Sequence, residues 1–166
     1  MAQLNIFLEN NYSSFKINET EIYNAVVKMA DFIFAEENIM NKSCLADCSF
    51  AAVVFDIVFM NNNEIKRINN EYRNKDMPTD VITFSIFADS PKEERFIIDN
   101  EVYLGEIMIS LDRVKEQAEE NNIDFKNELF FVISHGILHL LGFDHQTEKD
   151  YNFMVDYQNK SKALVL

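Results

Sequence analysis

The sequence predicts an α+β fold in a single domain over residues 1–166. Its core is a four-stranded mixed sheet, three strands parallel and one antiparallel, with about five helices. Three observations lead there. Short apolar, β-branched runs alternate with segments whose apolar residues recur at helical spacing. Helices separate the first three runs, which favours parallel strands, whereas only a loop separates the third from the fourth, which favours an antiparallel pair. The segment 125–142 is apolar nearly all round, so that helix belongs at the centre of the domain. A chain of 166 residues with 48% apolar content can bury its own core, which excludes a disordered chain.

The elements follow in order. AQLNIFLE alternates and reads as a first strand. ETEIYNAVVKMADFIFAEEN carries Ile22, Val26, Met29, Ala30 and Ile33 at helical spacing, with Asn18 or Thr20 as its cap. AAVVFDIVFM reads as a buried strand. NNNEIKRINNEYR is a second helix with an Asn cap, KDMPTD a turn, DVITFSIFA a third strand and YLGEIMIS a fourth. Ser110 caps the next helix and Asp124 the apolar one, which Gly142 can end; Thr147 and Asp150 resemble a capping box for the last helix.

Formal charge is −13, which disfavours nonspecific attraction to phosphate backbones or anionic membranes. The basic residues are uneven: Lys66, Arg67, Arg73 and Lys75 fall within ten residues, while 89–101 is mostly acidic. Taken alone, the basic group reads as a solvated helix face. No apolar run is long enough to span a bilayer, and the opening MAQLNIFLENNYSSF has no basic segment followed by an apolar block. A cytoplasmic enzyme is therefore expected. Cys44 and Cys48 have no second Cys or His pair nearby and read as reduced thiols.

All three histidines lie in HGILHLLGFDH, residues 135–145. Residues four apart share a helix face, so His135 and His139 can present nitrogens to one ion. Gly142 lets the chain turn and bring His145 to the same ion. Three imidazoles suit Zn²⁺, one ion per chain, and leave a fourth position for water or substrate, the mark of a catalytic site; Ni²⁺, Co²⁺ and Cu²⁺ also bind imidazoles. Asp144 is either a carboxylate that orients an imidazole or a loop residue. The spacing matches that of one class of zinc proteases, but Gly136 stands where their general-base glutamate would be. One expectation is that a carboxylate there would repel an anionic substrate by about 3 kcal/mol at ~5 Å and an effective dielectric near ~20.

HGILHLLGFDH resembles the metal motif of the YbeY family of bacterial ribosomal-RNA maturation factors, H-G-x-L-H-L-x-G-[YF]-D-H. INNEYRNKDMPTDVITFS is similar to its L-N-x-x-Y-R-x-x-D-x-P-T-D-V-L-S-F-P, and LGEIMIS to its L-G-D-I-x-I-S. The blocks keep the family's order across residues 68–145, with Ser85, Glu106 and Ile82 as modest departures; the first 50 residues and the last 20 carry little of the resemblance. The resemblance implies a zincin-like fold and a single-strand-specific endoribonuclease that acts in ribosomal RNA processing and ribosome quality control. It implies zinc ligands at His135, His139 and His145 and a functional arginine at Arg73. With Arg73, the residues Lys66, Arg67 and Lys75 then read as one wall of an RNA groove. Its implied partners are single-stranded ribosomal RNA and the ribosome or its assembly proteins, with no membrane; the oligomeric state stays open. Two other readings share the metal spacing: a metalloprotease or amide hydrolase, and a non-enzymatic, metal-stabilised ribosome-associated protein.

Overall fold

The structure, a computed structural model, describes residues 2–166; Met1, where the expected domain begins, lies outside the described residues. Strand β1 (Gln3–Asn10) leads to α1 (Glu19–Ala35) and α2 (Glu37–Met40). Strand β2 (Ala52–Met60) is followed by α3 (Asn62–Arg73), β3 (Val81–Phe84) and α4 (Ile86–Asp89). After β4 (Glu101–Ser110) come α5 (Leu111–Glu120), α6 (Phe125–Leu140) and α7 (Glu148–Lys162).

The sheet runs β1-β2-β4-β3, with β1, β2 and β4 parallel and β3 antiparallel to β4. The expected balance of three to one is present, but the odd strand is the third rather than the fourth. The register explains it. Met60 at the end of β2 pairs with Ser110, and Val81 at the start of β3 pairs with Ile109. Helix α3 and the 74–80 turn thus return the chain to the sheet end it has just left, and β3 must run back the other way. The left-handed Asn74 (φ 55°) makes that return possible.

Seven α-helices are present among the described residues, against about five expected. The additional two, α2 and α4, have four residues each, too few to display a period. Helix α4 also corrects the third strand, which ends at Phe84 instead of running to Ala88. Gly105 (φ +134°) sits at a register shift between β2 and β4, and a Cβ there would lie 1.8 Å from the Phe84 carbonyl oxygen. Only glycine tolerates that approach, and it brings the end of β3 hard against β4 before the chain turns away.

The two sheet faces are unequal. Val53, Phe55, Ile57 and Phe59 of β2 point into the main core; Val58 and Met60 point to a smaller cluster with Ile65, Ile68 and Ile82 beneath α3. On the main side, α6 packs against β3, β4, α1, α4, α5 and α7. Leu129, Ile133, Ile137, Leu138 and Leu140 of α6 are fully buried. At about 1.5–3 kcal/mol for each buried aliphatic side chain, this helix is held rigidly enough to carry a site.

A candidate metal centre in an open cleft

Asp124 caps α6 by accepting a hydrogen bond from the Lys126 amide. At the other end, the Phe143 amide donates to the Leu138 carbonyl (3.1 Å) and the Gly142 amide to the His139 carbonyl (2.9 Å). These are the two bonds of a Schellman turn, with Gly142 at φ +91° in the left-handed position. The turn folds the chain back so that His145 joins His135 and His139. The ligand nitrogens of the three rings lie within 4.8 Å of one another, and the Nε2 atoms of His135 and His139 are 2.9 Å apart.

Burial pushes the His135 imidazole down to about 4, with the neighbouring His139 adding to the shift. His139 is lowered by burial first and then by His145, with a smaller contribution from Arg73. In both rings burial thus favours the neutral form, the form that metal ligation requires. Three imidazoles converging on one point fit a borderline-soft divalent cation such as zinc.

The cluster lies in a cleft of about 570 Å³. Of the residues singled out from sequence, Arg73 and Asp144 share this cleft with the histidines. Arg73 is the last residue of α3 and is exposed. Lys66, Arg67 and Lys75 do not line the cleft; Lys66 is 3.6 Å from Asp76, and Arg67 is 3.1 Å from Glu71. Asp144 accepts from its neighbour's amide at His145 (2.8 Å) and from the Gln146 side chain (2.9 Å), bonds that hold it below the usual carboxylate range. Both oxygens thus fix the turn that carries His145.

Gly136 departs from expectation. A Cβ there would meet the Ile107 side chain at 2.7–3.1 Å, so the position faces β4 and the core. Close packing of helix on sheet explains the glycine, and the proposed repulsion of an anionic substrate is not needed.

Asp80, Thr83, Ser85 and Asp89 also line the cleft, and composition and spacing did not single them out. The Ser85 hydroxyl donates to the His139 carbonyl at 2.8 Å, tying the start of α4 to the histidine helix α6. The Thr83 hydroxyl is buried with no protein partner among the described residues. The packing of β3 and α4 beside α6 brings these residues to the cleft, and Asp80, Thr83 and Ser85 fall within one of the sequence blocks that carry the resemblance.

A three-imidazole cluster on a buried helix, opening into a cleft that Arg73 also lines, defines a class: α+β proteins with an accessible three-histidine group that could hold a metal ion. Comparison with known proteins narrows it. The family described as endoribonuclease YbeY matches residues 7–164, and the chain belongs to that family. It is 41% identical over 133 residues to endoribonuclease YbeY of Malacoplasma penetrans, covering 80% of this chain and 77% of that one. With the Bacillus pumilus protein of the same description it shares 48% over 106 residues, 63% of this chain and 67% of the other. The solution structure of TM1509 from Thermotoga maritima superposes with a TM-score of 0.62 at 27% identity, covering 96% of this chain and 88% of that one.

Proposed function

We propose that the protein is a zinc-dependent, single-strand-specific endoribonuclease of ribosomal RNA maturation and ribosome quality control. One observation carries the reading: three imidazoles and an exposed arginine share one open cleft, in a chain whose relatives are described as endoribonucleases.

His135, His139 and His145 would hold one zinc ion, whose positive charge, when bound, polarises a phosphoryl oxygen and lowers the pKa of water. Arg73 binds the phosphodiester through its planar fork and offsets charge that builds up on the phosphoryl oxygens. The cleft is open and suits an extended strand. Lys66, Arg67 and Lys75 sit outside it, two of them beside carboxylates, and contribute to the approach of RNA more than to its seating. Asp144 sets the turn that presents His145. The zincin-like description rests on the ligand spacing and the glycine turn. No helix among the described residues is long and apolar enough to cross a membrane, which accords with action on ribosomal particles in the cytoplasm.

Purified protein reconstituted with zinc and offered both single-stranded RNA and casein tests the assignment. RNA cleavage without proteolysis is expected. Proteolysis favours the hydrolase reading, and inertness toward both favours a ribosome-binding protein stabilised by metal.

A further inference from the structure

Ile65, Ile68 and Tyr72 recur at helical spacing on one face of α3. Ile65 and Ile68 are buried in the smaller cluster, but Tyr72 is 64% exposed. The apolar stripe thus leaves the core in the last turn of the helix, at the edge strand β3. There Phe84, the last residue of β3, meets the Tyr72 ring in a T-shaped contact, 5.1 Å between centroids and 70° between planes. The contact orients the ring and leaves most of it open to solvent. Both partners border the cleft. Arg73, next to Tyr72 in the chain, lines it, and so do Thr83 and Ser85 on either side of Phe84. A phosphodiester held by Arg73 therefore brings its own nucleotides to the turn of α3 that carries an exposed, oriented aromatic ring.

We infer that Tyr72 is a specificity-determining residue: an unpaired nucleobase, beside the phosphate that Arg73 binds, stacks on its ring. The inference rests on the endoribonuclease reading above and adds a base contact to it. Stacking uses the face of the base and not its edges, so any of the bases serves. A base inside a duplex is already stacked on its neighbours and does not reach the ring, which selects for single strands. Because Phe84 sets the ring in advance, little side-chain freedom is lost on binding.

The test measures, by fluorescence anisotropy, binding of single-stranded RNAs a few nucleotides long, too short to shift register, each lacking one base. Wild type as purified is compared with Tyr72→Phe and Tyr72→Ala. Wild type is expected to lose affinity about 5- to 150-fold when the base is missing at one position, the usual worth of a stacked base, and little elsewhere. Tyr72→Phe should keep that profile. Tyr72→Ala should bind intact RNA more weakly by a similar factor and ignore the missing base. Its salt slope should stay that of wild type, because the ring carries no charge. Wild type that tolerates a missing base at every position overturns the inference, even if the Ala variant does not fold. So does an Ala variant that keeps the wild-type penalty, or a Phe variant that loses it, which would make the hydroxyl the contact. RNA binding with a salt dependence but no base penalty removes the role of Tyr72 and leaves the endoribonuclease reading; no RNA binding by wild type removes both.

Discussion

His139 lies 2.9 Å from His135 between Nε2 atoms and 5.4 Å from His145 between ring centroids. His139→Ala is expected to lose bound zinc, and metal analysis of the purified pair checks it; equal content in both would remove the site. Arg73 has a different signature. It is exposed and makes no ion pair among the described residues, so Arg73→Ala should shift unfolding free energy by no more than about 0.5 kcal/mol. It should keep zinc yet lose most RNA cleavage, with Arg73→Lys recovering part, because a point charge replaces a bidentate fork. A variant that unfolds, or cleaves normally, contradicts the role. Gly136 belongs to packing. Alanine gains about 1 kcal/mol over glycine in a helix, but overpacking against Ile107 costs about 1–3 kcal/mol. Gly136→Ala should therefore be less stable than wild type in denaturant titration; equal stability would mean that α6 has room to move off β4.

Helix α6 and its exit turn work as one element. At Gly142 an added Cβ has room, its nearest neighbours being 3.5 Å away on Ala88 and Cys44, so any loss on substitution is conformational. Gly142→Ala should cost about 1–2 kcal/mol and weaken zinc binding by misplacing His145, while Gly142→Asn, which tolerates the left-handed region, should lose less of both. Thermal melts with chelator competition read the two effects together. Much at this scale was legible in sequence. Asn18, Asn61, Ser110, Asp124 and Thr147 each accept the expected capping bond. Helix α6 was placed centrally because it is apolar all round, and the i, i+4 histidines with a following glycine announced the cluster. What escaped depends on contacts distant in sequence. The direction of β3 follows from where α3 ends on the sheet, and the end of β3 follows from Gly105 beneath Phe84. The role of Gly136 follows from Ile107 on another element.

For the whole molecule, a net charge of −13 must be reconciled with an anionic substrate. Among the described residues Arg73 is the one Arg or Lys lining the cleft, so phosphate contacts there are few. Single-stranded RNA binding should weaken with salt by about 0.7 in log–log slope per phosphate contact, and Arg73→Ala should flatten the slope by about that amount. Binding titrations across a salt series measure it, and an unchanged slope would place the contacts elsewhere. The central claim, that the three-histidine cluster makes this fold a metal-dependent endoribonuclease, has a more direct test. The measurement is single-turnover cleavage of one end-labelled single-stranded RNA by protein stripped of metal and then reloaded with zinc, with His139→Ala purified alongside as a control for contaminating nuclease. Cleavage should vanish on stripping, return on reloading, and stay absent in the variant. Equal cleavage by the stripped protein, or by the variant, would contradict the claim.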